Sequence, residues 1–414
     1  MMSQTSLLSE PKLPHFLRLV PGAVGAPCGF QAAGVRAGIK RRGSDLALVY
    51  SVAPATGAGV FTTNRFPAAS VLLSKERVAP GDLHGVIVNS GNANACTGIE
   101  GYRDAVRMAE LAGDALGVPA RSILVCSTGI IGERLPMGKL AEGVAKAAAA
   151  LSPGGGEEAA RAIMTTDTRP KTVAVEFELD GRPVRVGGMA KGSGMIAPNL
   201  ATMLAFLTTD AQLSPRALKS CLSEAVEKSF NLVTVDGDTS TNDTVLLLAN
   251  RQAEAGEITP QHGLRRFRAA LGYVTTYLAR EIVRDGEGAS KMVEVTVRGA
   301  LSEQDARVIA RTIANSPLVK TALAGGDPNW GRVLAAAGRA GVHLRPELVE
   351  LYLGRVRVVE GGAVCNYPVR EAQRAVSGTA VQITLDLNEG AHEASVLTCD
   401  LTAEYVQINS AYRT

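Results

Sequence analysis

The sequence predicts a mixed α/β protein, in layers of helix and sheet, and three observations carry that expectation. Apolar runs of strand length recur from Leu46 to Leu401, helix-spaced segments stand between them, and no internal repeat or low-complexity linker breaks the alternation. A bundle would lack the strands, and a pure sandwich the helices. Aromatic residues make up only 4% of the chain, so Val, Leu, Ala and Ile must fill the layers. The 414 residues suffice for two or three domains, and 46% hydrophobic with 20% charged is a soluble, globular composition.

The elements follow in order. Gly29–Lys40 is punctuated by glycine and leads to a strand at Leu46–Ala53. A second apolar run, Gly57–Thr62, lies across Pro54-Ala55-Thr56, so the two read as a hairpin. Ser70–Leu73 and Gly85–Val88 read as strands, the latter opening into the polar loop Asn89–Ala95. Helical spacing runs from Tyr102 to Leu116 and stops at Gly117. A strand at Ser122–Cys126 leads to Ser127-Thr128-Gly129, and helices are expected over Gly138–Leu151 and Glu157–Met164. Asp180-Gly181 between Thr172–Leu179 and Pro183–Gly188 is a strong hairpin turn.

Ser214-Pro215 caps a helix reaching about Phe230, and the polar loop Thr234–Thr244 precedes a strand at Val245–Ala249. Gln261–Arg284 is a long helix. Beyond it come a strand at Val293–Arg298, a helix at Glu303–Ala314 opened by Ser302 and Asp305, and strands at Glu350–Val359, Val381–Leu387 and Ala394–Leu401.

Composition excludes several functions. A net charge of +3 is too small for a nucleic-acid or membrane footprint, so Lys40-Arg41-Arg42 and Arg265-Arg266-Phe267-Arg268 read as solvated faces. The six cysteines show no CxxC pair and the five histidines no HxxxH or HExxH spacing, which argues against a metal site. Scattered thiols read as small buried residues of a reducing compartment, and no window reaches transmembrane length. The expected location is the cytoplasm.

One stretch suggests chemistry. Lys191–Asp210 approaches through Lys191, Gly192, Ser193 and Gly194, turns at Pro198-Asn199, and passes Ala201-Thr202 into the apolar run Met203–Leu207. A threonine hydroxyl needs a base beside it, and a threonine that heads a chain supplies one as its own α-amine. An internal threonine reaches that state when its hydroxyl attacks the preceding carbonyl and the ester hydrolyses. By spacing alone this is a weak signal, and an ordinary strand residue is the favoured reading of Thr202. The Thr128-Gly129 turn could face an oxyanion or be structural. Glu287 could hold a cation or lie in solvent. Nucleophile-elbow and phosphate-loop motifs are absent.

Taken together, these stretches resemble the ornithine acetyltransferase family, also called the bifunctional glutamate N-acetyltransferases, of arginine biosynthesis. The resemblance rests on KGSGMIAPNLATMLAFLTTDA, on Phe61-Thr62-Thr63-Asn64, on Asn89–Gly98 and on Ser127-Thr128-Gly129. Thr165–Thr168, Asp236–Asp243, Asp285–Ala289, Asp327–Arg332 and the terminal Asn-Ser-Ala-Tyr-x-Thr extend it along nearly the whole chain.

The resemblance implies the self-cleaving α/β fold shared with a group of aminopeptidases. It implies cleavage between Ala201 and Thr202 into an α chain (1–201) and a β chain (202–414), assembled as two of each. A main domain is expected over residues 20–290, across the cleavage point, with a smaller α/β domain over 291–414. Thr202 would carry acetyl from N2-acetyl-L-ornithine to L-glutamate, with Thr128 and Gly129 stabilising the oxyanion. Thr168, Lys191, Thr202, Glu287, Asn409 and Thr414 would line the substrate site. Lys191 suits an α-carboxylate and Glu287 the ornithine amine. No cofactor or metal is implied, and whether acetyl-CoA is a second donor stays open. A related self-processing amidohydrolase, releasing the acyl group to water, is the nearest rival. A binding or scaffold protein with a structural Thr202 is the more distant one.

Overall fold

A computed structural model describes residues 6–78, 82–197 and 203–411. Those residues fall into two compact units, one drawn from 12–231 and 238–282, the other from 6–11, 232–237 and 283–411.

The larger unit is built on nine strands: β1 (Arg18–Leu19), β2 (Phe30–Val35), β3 (Leu46–Phe61), β4 (Leu83–Asn92), β5 (Ile123–Ile130), β6 (Lys171–Leu179), β7 (Arg182–Lys191), β8 (Leu204–Thr209) and β9 (Thr244–Ala249). Its helices are α1 (Ala69–Arg77), α2 (Gly98–Leu116), α3 (Met137–Ala149), α4 (Gly156–Ala162), α5 (Pro215–Glu227) and α6 (Leu264–Arg284). The strand order is β1-β6-β7-β8-β9-β3-β4-β5, with β2 added on β3.

Side-chain alternation shows how this sheet is covered. Leu46, Leu48, Ile87, Ile123 and Val125 bury one face against α2 and α3 through Met108, Ala112, Leu140 and Val144. Their neighbours Ala47, Val49, Val86, Val88, Leu124 and Cys126 point the other way, into a cluster with Met189, Leu204, Phe206 and Leu246 of β7, β8 and β9. Successive strand residues face opposite sides, so strands apolar on both faces read as continuous runs. The sheet thus folds so that its two halves meet across a shared core.

The element that permits this is β3, and here the expected hairpin is corrected. Leu46–Ala53 and Gly57–Thr62 are one strand of 16 residues. Its first part pairs with β2 and β4, and its second, Thr56–Phe61, with β9. Pro54 sits where the β4 register shifts between Tyr50 and Ala55. A proline without an N–H is tolerated at such an irregularity.

Ser70–Leu73 is also corrected, from strand to helix α1. Four apolar-leaning residues cannot separate the two periods, and the Ser-Lys-Glu-Arg that follows is compatible with a helix. Ser74 fixes α1 to the edge of the sheet, its hydroxyl donating to the Val125 carbonyl at 2.6 Å and accepting the Val125 N–H at 2.8 Å. The Asp180-Gly181 hairpin joins β6 to β7, and Ser214 caps α5 through the Ala217 N–H.

The smaller unit holds β10 (Met292–Ala300), β11 (Glu350–Leu353), β12 (Val356–Glu360), β13 (Ala363–Val364), β14 (Ala380–Asp386) and β15 (His392–Cys399). They are ordered β13-β12-β11-β14-β10-β15. Its helices are α7 (Glu303–Ala314), α8 (Pro317–Ala324), α9 (Trp330–Gly338), α10 (Val369–Ser377) and α11 (Ala403–Ala411). Val293, Val295 and Val297 bury the sheet against Ala306, Ile309 and Ile313 of α7, which Ser302 caps as expected. Glu350–Val359, expected as one strand, is the hairpin of β11 and β12, turned at Gly354 with φ +57°. Asn329 caps α9, so the Asp-Pro-Asn-Trp-Gly-Arg run is a helix start.

Candidate active site

Ala201, Thr202 and Thr414 lie outside the described residues. The groups around them in sequence are described, and those of the larger unit converge at the ends of its central strands.

Met203, the residue after Thr202, immediately precedes β8. Its N–H donates to Asp243 Oδ1 at 3.0 Å, and its carbonyl accepts the Thr244 N–H at 3.1 Å. Asn242, one residue earlier, donates from Nδ2 to the Ser127 carbonyl at 2.8 Å and to the Ala93 carbonyl at 2.7 Å. Two adjacent side chains therefore hold the entry of β8 and the end of β5. Thr128 follows Ser127, is buried, and runs into Gly129 with φ +133°, a region that glycine alone enters freely. A Cβ on Gly129 would stand 2.3 Å from the Gly91 carbonyl carbon, and one on Gly91 2.6 Å from Lys40 Cγ. The turn is thus packed glycine on glycine beneath a lysine stem.

A charged cluster adjoins it. Lys191 ends β7, buried, with its Cα opposite Leu204 of β8. Asp167 is buried as well. Its Oδ1 accepts Lys171 Nζ at 2.7 Å and the Gly192 N–H at 2.7 Å, and its Oδ2 accepts the Thr165 N–H at 3.0 Å. Burial opposes its charge, but the Lys171 and Lys191 charges and these donors outweigh it and hold the carboxyl far below its usual range. Lys40 donates to the Met164 carbonyl at 2.8 Å. Desolvation lowers its pKa, against the attraction of Asp45 and Asp167. Asp45 shapes the Lys40 loop by accepting the Ala37, Gly38 and Lys40 N–H groups.

Asp243 behaves oppositely. It is fully buried, and desolvation pushes its carboxyl well above the usual range, further than the Met203 amide, the Lys191 charge and the Thr62 and Ser240 hydroxyls pull it back.

Among the residues expected at the site, Thr128, Gly129, Thr168 and Lys191 belong to the larger unit, and Thr168 is exposed. Glu287 and Asn409 belong to the smaller one, where Asn409 Nδ2 donates to Glu287 Oε2 at 2.6 Å. The tail expected to fray in an ordinary protein is helical through Ala411, and Thr402 of its approach donates to the Gly288 carbonyl at 2.7 Å.

Two expectations are corrected. Lys40 is no solvated charge but half-buried in the cluster, because Asp45 curls its loop inward; Arg41 and Arg42 remain exposed. Cys126, Cys221 and Cys399 are buried, but Cys28 and Cys96 are exposed, so the thiols are not uniformly core residues. Asn242 and Asp243 carried no assigned role in the sequence; the available signal was two polar side chains at the mouth of an all-apolar strand. Among the described residues no group of three His, Cys, Asp or Glu could hold a metal ion, and no helix is long and apolar enough to cross a membrane.

Buried lysines and a tightly packed glycine turn lie at the ends of the central strands, the candidate active site of an acyltransferase. The chain belongs to the ArgJ family, whose sequence pattern it matches over residues 31–414. It is 51% identical over 397 residues to the arginine biosynthesis bifunctional protein ArgJ of Symbiobacterium thermophilum, covering 95% of this chain and 99% of that one. The protein of the same name from Dehalococcoides mccartyi is 47% identical over 403 residues, covering 96% and 98%. Among solved structures, the ornithine acetyltransferase of Mycobacterium tuberculosis complexed with ornithine matches 45% of this chain and 100% of that chain, at 48% identity and a TM-score of 0.42.

Two outcomes follow from this geometry. Gly129→Ala, whose Cβ meets backbone, is expected to displace the turn and lower the acyl-transfer kcat about 10²–10³-fold, the range for losing one oxyanion donor. Steady-state kinetics beside circular dichroism checks it, and an unchanged kcat would remove the turn from the reaction. Asp167→Asn is expected to cost about 3–5 kcal/mol in denaturant unfolding, as for breaking a buried ion pair. Because the folded carboxyl has the lower pKa, its contribution is complete above the unfolded carboxylate range near about 4 and is lost as pH falls below it. The difference between variant and parent should therefore shrink in acid.

Proposed function

We propose that the chain cleaves itself between Ala201 and Thr202, and then transfers acetyl from N2-acetyl-L-ornithine to L-glutamate. The reaction runs as a ping-pong through an acetyl-threonine and yields L-ornithine and N-acetyl-L-glutamate. The observation that carries this reading is the Asn242–Asp243 pair, which binds the Ser127 carbonyl and the Met203 amide. The chain neighbours of those two groups, Thr128 and Thr202, are the residues the reaction needs in register.

On this reading the α-amine freed at Thr202 takes the hydroxyl proton as the oxygen attacks the acetyl carbonyl. Thr128 and Gly129 receive the oxyanion. Lys191 attracts the α-carboxylate common to donor and acceptor, with Lys40 and Lys171 adding to the local field. Glu287, held by Asn409, suits the ornithine side-chain amine. Thr168 and Thr414 complete the substrate set. Moving an acetyl group between amine and hydroxyl needs no resident cofactor. The product chains, 1–201 and 202–414, assemble as two of each. Acetyl-CoA is the second donor to be tried against the same threonine.

The test is purified protein incubated with glutamate and either acetylornithine or acetyl-CoA, beside Thr202→Ala. The expected outcome is two fragments and glutamate-dependent ornithine release for the parent, and one intact, inactive chain for the variant. Acetate released without need of glutamate would favour hydrolysis over transfer. Acetyl transfer by Thr202→Ala would remove the threonine from its role.

A further inference from the structure

We propose that Lys320 and Cys399 form an oxidation site, in which peroxide joins Lys320 Nζ to Cys399 Sγ through a single oxygen atom. The two side chains stand on different elements of the smaller unit, Lys320 in α8 and Cys399 at the end of β15. Lys320 is 2% exposed and Cys399 1%. Nζ lies 3.7 Å from Sγ, donates to Thr398 Oγ1 at 3.0 Å, and donates also to the Cys399 carbonyl. Among the described residues no carboxylate stands at ion-pair distance from it. A lysine head buried without an anion is costly, and it calls for an explanation.

A reactive pair supplies one. Burial raises the Cys399 pKa, and the Lys320 charge is the leading influence that pulls it back toward the thiolate, the form that peroxide attacks. A sulfenic acid formed there is poised to condense with a group beside it, and the nitrogen beside it is Nζ. Burial keeps out bulky oxidants, whereas peroxide is little larger than water and enters when the chain opens locally.

Two molecules of peroxide balance the reaction. One takes the thiol to the sulfenic acid, Sγ–OH, and releases water. Nζ gives its extra proton to solvent, and the second peroxide takes the amine to a hydroxylamine, Nζ–OH, releasing water again. Condensation of the two hydroxyls expels a third water and leaves Sγ–O–Nζ. Sulfur and nitrogen are oxidised, peroxide oxygen is reduced, and the protein gains one oxygen and loses two hydrogens. A direct bond between sulfur and nitrogen would have to close more of the 3.7 Å gap than the oxygen bridge does.

The bridge bears on the segment that carries Glu287. A Cβ built on Gly286 stands 3.1 Å from Cys399 Sγ, so the sulfur packs on the residue before Glu287. Asp400 follows Cys399 and accepts the Ser290 and Lys291 N–H groups. Drawing Sγ toward α8 therefore alters the packing of residues 286–291.

The purified protein is treated with hydrogen peroxide while folded, digested with trypsin and mapped by mass spectrometry. Both residues follow position 202, so the result does not depend on self-cleavage. The expected product is peptide 312–332, uncut at Lys320, joined to the peptide that begins at residue 375 and heavier than their sum by one oxygen less two hydrogens. A joined pair lighter by two hydrogens alone is a direct bond and overturns the oxygen bridge. Cys399 found as a sulfinic or sulfonic acid, with Lys320 cut normally and no joined pair, overturns the site. Lys320→Met is expected to lose the joined species and to let Cys399 advance to the sulfinic acid. Should that variant fail to fold, the parent unfolded in guanidinium chloride before peroxide takes its place. Loss of the joined species there supports the site, and its formation to the same extent shows that the folded geometry is not its source and overturns it.

Discussion

Asp167 is the anchor on which the larger unit's chemistry depends. A carboxylate removed from water costs several kcal/mol unless donors replace its hydration. Here the replacements come from three places: Lys171 at the start of β6, the Gly192 N–H just past the end of β7, and the Thr165 N–H of the preceding loop. The carboxylate thereby ties the open ends of the β6–β7 hairpin to that loop. The chain after Lys191 must leave β7 along the one path that keeps its amide on Asp167. A loop that would otherwise be free acquires a fixed origin, six residues before the first residue outside the described segment.

The same neighbourhood holds a second buried carboxyl treated in the opposite way. Lys191 acts on both Asp167 and Asp243. The difference lies in contact. Asp167 has an ammonium at hydrogen-bond distance and two backbone amides, whereas Asp243 has the Met203 amide and the weaker pull of the Thr62 and Ser240 hydroxyls. Burial outweighs the donors of Asp243 and pushes its carboxyl up, whereas the donors and charges at Asp167 outweigh burial and hold it down. Two like groups in one neighbourhood are thus shifted in opposite directions, a pattern that active sites use repeatedly.

What the sequence made legible was local. Asp180-Gly181, Ser214-Pro215 and Ser302 work within a few residues, and each sits where its spacing puts it. The continuity of β3 was hidden because Pro54 normally ends a strand, and only the partners on either side of it, β4 and β9, show that the strand passes through. Helix α1 was hidden because four residues fit either period until Ser74 is seen anchored on Val125. Lys40 looked like surface charge because nothing nearby in sequence reveals that Asp45 draws its loop inward. Asn242 and Asp243 act on residues 115 and 40 positions away, and no spacing rule reaches that far. The glycine turn at Gly129 and the approach through Lys191 were legible as candidates, and the family resemblance supplied the roles expected of them.

The upward shift of Asp243 also bears on the local field. The groups that interact here are Lys40, Lys171 and Lys191 on one side and Asp45 and Asp167 on the other. Burial that raises the Asp243 pKa narrows the pH range over which this side chain adds a negative charge to that set, and so favours a positive local field. An α-carboxylate, the group proposed to be shared by donor and acceptor, would be drawn to such a field.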